Sequence, residues 1–287
     1  MSIWSAYRLV LQLKSPLHVG QFKIGNLQRT RPYVPAKTLW GALTARLTRD
    51  DPHSNGDYQA MGKRVNDELA FSYFYPARDC DGKETLYPNY TKQGLCYGPN
   101  EMSPDEFAWH LLSSYASTAV DARRTAAAEG SLHETDFLSP YDNETGKPVY
   151  LVGYVFEQEG KDSPPWRDML DRLQLGGERR YGWGRVSQCK LNGLFTDEIK
   201  LFGRYSLDLR GEHLRLDVPK NELLLAHTMT EGVPARGQIE PLVGRETPAE
   251  GKFGAQISSD VKICWTPGSR LEEGRRLVIG KYGLLRS

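Results

Sequence analysis

The chain has 287 residues, 39% hydrophobic and 25% charged, with 37 Lys and Arg against 36 Asp and Glu. That supplies a genuine core for one large domain or two modest ones, while apolar runs such as Leu223 to Ala226 are far too short to cross a bilayer. No basic-then-apolar leader opens the sequence, and Cys80, Cys96, Cys189 and Cys264 form no CxxC pair, so a soluble protein of a reducing cytoplasm is expected, with no zinc site and no cofactor.

The first strand is read in Tyr7 to Lys14, where Tyr7, Leu9, Leu11 and Leu13 alternate onto one face. Ser15-Pro16 ends it, and a loop rich in Gly, Lys and Arg runs to Tyr33-Val34-Pro35. Thr38 then offers an N-cap to an amphipathic helix carrying Leu39, Leu43 and Leu47 beside Trp40. Leu69 to Tyr75 reads as a strand, and residues 76–105, dense in Gly, Pro, Asn and Asp, as loop or insertion. A short helix over Glu106 to Ser113 precedes Ser117 to Leu138, which reads as an extended hairpin. Val149 to Glu157 is strand-like, Pro165-Trp166 opens a helix with Trp166, Met169, Leu170 and Leu173 on one side, and Arg185 to Leu191 is the closing strand.

This order predicts an α+β protein: a ferredoxin-like (RRM-like) βαββαβ domain over residues 1–195 with an insertion and hairpin at about 76–145. Strand signals at Tyr205 to Leu209, Leu214 to Val218, Val261 to Trp265 and Leu277 to Ile279 make residues 196–287 a smaller β-rich lobe, with a degenerate second ferredoxin-like domain as one form of it.

Charge is distributed unevenly. Residues 1 to 49 contain no acid but hold Arg8, Lys14, Lys23, Arg29, Arg31, Lys37, Arg46 and Arg49, and arginine outnumbers lysine 23 to 14 over the chain. An anionic partner met by forked guanidinium groups fits this pattern; a solvated surface neutralised by distant acids is the plain alternative. The most specific local feature is Leu175 to Val186, in which Gly176, Gly177, Gly182 and Gly184 alternate with Arg179, Arg180, Arg185, Tyr181 and Trp183. Glycines let a backbone approach a phosphate, arginines fork onto it, and the two aromatics can stack on splayed bases. The alternative is a tight turn with its aromatics in the core. It is not a dinucleotide fingerprint, because the glycines follow a helix rather than open one.

Ser15 to Gly20, Tyr33 to Leu43, Val120 to Ala127 with Gly130-Ser131-Leu132, and Gly176 to Val186 together resemble, in order, the RAMP superfamily of CRISPR-associated proteins. Pro267-Gly268-Ser269 and Gly280-Lys281-Tyr282-Gly283 resemble it more loosely. The resemblance implies guide RNA as ligand and the large subunit and a backbone RAMP subunit as partners. Within the superfamily, cutting backbone subunits are similar in an aspartate after the first strand; Gly20 to Tyr33 contains no acid, which leaves an inactive guide-coating backbone subunit as one alternative. Glycine-rich elements near the end of both halves resemble the non-catalytic subunit that caps the 5′ tag of the guide in type III effectors. A metal-independent processing endoribonuclease would use His18 as its base, Asp121 and Glu134 are weaker acid candidates, and a protein-only scaffold is the alternative of another class. The expected RNA-binding set is His18, Lys23, Arg29, Arg31, Lys37, Arg179, Arg180, Tyr181, Trp183 and Arg185, with Arg123 and Arg124 on the hairpin meeting guide or backbone subunit.

Overall fold

The computed structural model describes residues 3–194, 196–246, 256–257 and 261–287. Strand β1 (Trp4–Leu13) buries Leu9, Leu11 and Leu13 on one face, where Tyr7 meets Trp166 edge-on at 5.5 Å, but its other face is not left to solvent, because Val10 is buried there with Ala77 and Val152. The expected basic loop is instead a hairpin of β2 (Gly20–Ile24) and β3 (Leu27–Thr30). Its two-residue turn is Gly25-Asn26 with Gly25 at φ 55°, the positive dihedral that matches a tight hairpin to the twist of its strands.

Helix α1 (Ala36–Asp50) starts two residues before the expected cap at Thr38, because extended Pro35 sets the entry and accepts the Thr38 N–H at 2.9 Å. Leu39, Leu43 and Leu47 fill its buried face. A second helix, α2 (Tyr58–Glu68), is capped by Asp57 and presses Gly62 against Trp40, whose indole N–H donates to the Gly62 carbonyl at 3.0 Å. The stretch Leu69 to Tyr75 divides into β4 (Leu69–Phe71) and β5 (Tyr75–Ala77), since Phe74 leaves the ladder to bond with Val34 in both directions. Residues 76–105 are ordered around a hairpin of β6 (Pro88–Thr91) and β7 (Gly94–Tyr97).

Helix α3 (Pro104–Leu111), fixed by a Ser103–Glu106 capping box, leads into an arm that is wider than its sequence indicates. The arm pairs β8 (Leu112–Ser117) with the returning β11 (His133–Leu138), and β9 (Val120–Asp121) pairs with β10 (Ala126–Ala127) at its tip. Strand β12 (Tyr150–Gln158) follows. The expected α-helix after Pro165 is a 3₁₀ segment, Trp166–Arg172, burying Trp166, Met169 and Leu170. Pro164 and Pro165 lie at its start, and the bridge between Gln174 and Arg185 lies just beyond its end. Strand β13 (Val186–Leu194) closes the first sheet, whose antiparallel order is β13-β1-β12-β4, with β5 also on β12. A second sheet has the order β2-β3-β11-β8.

Beyond residue 196 the described residues form an eight-stranded sheet and no α-helix. It opens with the meander Glu198–Leu201, Tyr205–Asp208 and Arg215–Val218. One hydrophobic cluster runs through both halves, joining Leu9, Phe74 and Tyr75 to Leu207, Leu224 and Leu277. The joint is polar at its centre. Tyr73 Oη lies 2.7 Å from His227 Nδ1, His227 Nε2 donates to Glu240, and Arg31 Nη1 donates to the same carboxylate oxygen at 2.6 Å. A carboxylate only accepts, so Nε2 carries the ring proton and Nδ1 accepts from the tyrosine. Burial pushes His227 below its ordinary value; burial alone would raise Glu240, but His227 and Arg31 outweigh it and hold the carboxylate low.

Both depressed values give the same sign: the stabilisation is present above the ordinary titration range of each group and is lost as the pH falls through it. The thermal midpoint is therefore expected to fall on acidification below the ordinary histidine range, with a flatter pH slope in His227→Gln; an unchanged slope contradicts a neutral buried His227.

Candidate nucleic-acid interface

The glycine loop from Leu175 to Arg185 is fastened to the exit of β1. Gly184 N–H donates to Pro16 O at 2.7 Å, Gly177 N–H to His18 O at 2.8 Å, Lys14 N–H to Arg185 O at 2.9 Å, and Arg185 N–H to Ser15 Oγ at 2.9 Å. These contacts need glycine. A Cβ on Gly176, at φ 71°, would sit 2.1 Å from His18 O, and one on Gly184, at φ 75°, would sit 1.9 Å from Leu175 O. A short 3₁₀ turn, Arg179–Tyr181, forms the loop's tip, and Gln174 reaches the carbonyls of Arg179 and Trp183 at 3.4 Å.

His18 organises this fastening. Its ring is buried, with Nδ1 2.7 Å from Asp136 O on β11, and Gly177 covers it so closely that a Cβ there would lie 3.2 Å from the ring. The carbonyl can only accept, so Nδ1 holds the proton. The residue therefore links three pieces: the exit of β1, the glycine loop and the arm.

The other expected residues separate into two groups. Arg180, Tyr181 and Arg185 project from the glycine loop into solvent, Tyr181 being 80% exposed. Lys23 is exposed on β2, and Arg123 and Arg124 are exposed between β9 and β10, Arg124 at 3.8 Å from Asp121. Arg179 is half-buried, its guanidinium held below the ordinary value by burial and by the neighbouring charge of Arg49. Trp183 turns inward and meets Phe137 edge-on at 5.0 Å and Tyr115 at 6.4 Å, docking the loop on the arm.

Three expected phosphate ligands are committed within the chain. Arg31 is buried against Glu240, where a phosphate cannot reach it without breaking the joint. Lys37 lies under the C-terminal half, with its ammonium 4.8 Å from the ring of Tyr282, and a Cβ on Gly244 would meet that ammonium at 2.5 Å. Arg29 pairs with Asp136 at 2.9 Å and remains partly exposed. The weaker acid candidates have local partners: Asp121 Oδ1 accepts the Arg123 N–H, and Glu134 accepts from Ser114 Oγ. Among the described residues no group of His, Cys, Asp and Glu is placed to hold a metal ion, and no helix is long and apolar enough to cross a membrane.

No protein-family model and no curated protein matches the chain. Solved structures do. A chain of the Type III-B Cmr-beta bound to cognate target RNA and AMPPnP, state 1, superposes with a TM-score of 0.55 at 13% identity, over 92% of this chain and 85% of that one. A chain of the Type III-B Cmr-beta bound to cognate target RNA gives 0.53 at 12% identity, over 93% and 86%. The shared feature is the fold.

Gly184→Ala strains the fastening by about 1–3 kcal/mol, so trypsin should cut after Arg180 on the order of tenfold faster; an unchanged rate contradicts the required close approach. Arg31→Ala should lower unfolding stability by about 3–5 kcal/mol by leaving the Glu240 carboxylate without its cationic partner, whereas Arg180→Ala should leave it within about 0.5 kcal/mol.

Proposed function

We propose that this chain is an RNA-binding, non-cutting subunit of a type III CRISPR effector, one that caps the 5′ tag of the guide RNA and contacts the large subunit and a backbone subunit. The observation that carries the reading is the convergence of Arg180, Tyr181 and Arg185 on a loop held by its own glycines beside a basic hairpin and a projecting arm. Sharing a fold with chains of RNA-bound Type III-B complexes supports it. On this reading the sheet β13-β1-β12-β4 is a ferredoxin-like framework whose second helix is reduced to the 3₁₀ segment Trp166–Arg172, and residues 196–287 are a separate β-rich lobe.

The glycine loop supplies what a single strand needs. Arg180 and Arg185 fork onto phosphates, Arg179 with the neighbouring Arg49 adds positive potential, and Tyr181 offers a stacking surface. His18 is assigned to holding the loop rather than to proton transfer, because its imidazole lies under Gly177 with Nδ1 engaged by a main-chain carbonyl. Arg123 and Arg124 at the arm tip reach for the guide or the backbone subunit.

Purified protein incubated with end-labelled repeat-containing RNA in excess chelator is expected to retain the RNA on a native gel and give no new product on a denaturing gel. A single product lost in His18→Ala would make the chain a processing endoribonuclease, and assembly into a complex that survives ribonuclease unchanged would favour a protein-only scaffold. Replacing both Arg180 and Arg185 by Ala should flatten the salt slope of binding by about one for each phosphate no longer held; Arg31→Ala should not change it.

A further inference from the structure

The arm sheet has two chemically different faces, and its register fixes them. Lys23 pairs with Gln28, Gln28 with Thr135, and Thr135 with Tyr115, so these four residues form one row across β2, β3, β11 and β8. Phe137, two positions along β11, shares their face, and Trp183 from the glycine loop packs against it and against Tyr115. Side chains one position out of phase lie on the other face: there Arg29 pairs with Asp136 and Ser114 bonds to Glu134. These two acids are the only ones in the four strands. Around buried Thr135, the face bearing Tyr115 therefore has an aromatic ring, an amide and an ammonium, and these strands put no carboxylate on it.

We propose that this face is a single-stranded RNA platform on which Tyr115 stacks one nucleobase, Gln28 reads a base edge and Lys23 takes a phosphate. The proposal rests on the RNA-binding reading above and deepens it. Tyr115 is 60% exposed yet supported from the side by Trp183, so a base can stack on a ring that is already ordered. Lys23 is exposed and Gln28 half-buried. Three strand spacings, about 14 Å, separate Tyr115 from Lys23, so the stacked base and the held phosphate belong to different nucleotides. The absence of carboxylates among these strands on that face favours a polyanion over a basic protein segment, and Trp183 ties the Tyr115 end of the face to the loop that bears Arg180 and Arg185.

The test uses the full chain and tag-containing oligoribonucleotides with 2-aminopurine at successive positions. One position is expected to be quenched on binding. Tyr115→Leu should abolish that quench and weaken affinity by about tenfold, Tyr115→Phe should preserve both, and Lys23→Ala should keep the quench while lowering the salt slope by about one. A quench and affinity unchanged in Tyr115→Leu, or no quench at any position, overturns the platform. If Arg180→Ala with Arg185→Ala weakens binding while Tyr115→Leu does not, the platform fails and the RNA-binding reading stands; if wild-type protein binds no RNA, alone or with its neighbouring subunits, both fail.

Discussion

Everything at the candidate interface depends on a main-chain fastening between the exit of the first strand and the glycine loop. The N–H groups of Gly177 and Gly184 reach the carbonyls of His18 and Pro16, and the approach is so close that Gly176 and Gly184 have no room for a Cβ. Backbone atoms are thereby committed to holding the loop, which leaves Arg180, Tyr181 and Arg185 to point outward. The same fastening sets the arm, because the His18 ring bonds to β11 while Trp183 docks on Phe137 and Tyr115. Strand exit, loop and arm are consequently one mechanical unit rather than three mobile segments.

The basic residues divide by where their counter-charges lie. Arg31 and Lys37 bind the two halves of the chain together, the first through Glu240 and the second through the ring of Tyr282. Arg31 shares its acceptor with His227, and Tyr73 completes that row, so a buried charge at the joint is neutralised by a partner that is itself hydrogen-bonded. Arg180 and Arg185 on the glycine loop and Lys23 on β2 instead stand on exposed surface. The cations that hold the fold are thus different from those left on the surface, although Lys23 and Arg31 are close in sequence.

Much of this was legible in the chain itself. The Leu9, Leu11, Leu13 face of β1, the Leu39, Leu43, Leu47 stripe of α1 and the density of glycine at 176–184 each report a local physical demand that the fold meets, although β1 is also buried at Val10 on its other face. What escaped is non-local. The acid-free stretch before residue 50 looks uncompensated only because Asp136 and Glu240 arrive from far along the sequence. The spacing of Trp166, Met169, Leu170 and Leu173 is helical, and the chain meets it with a 3₁₀ rather than an α segment, which gives way to the Gln174 bridge. Gly25-Asn26 is a readable hairpin turn that its basic surroundings obscure. Tyr115 carries no signal of its own; strand register alone brings it into a row with Gln28 and Lys23.

That RNA lies along the glycine loop and the carboxylate-free face of the arm is tested most directly by photocrosslinking tag-containing RNA to the protein and identifying the crosslinked peptides by mass spectrometry. Adducts are predicted on peptides containing Tyr181, Tyr115 and Lys23; adducts confined to the lobe beyond residue 196, with none on the glycine loop or the arm, would contradict it.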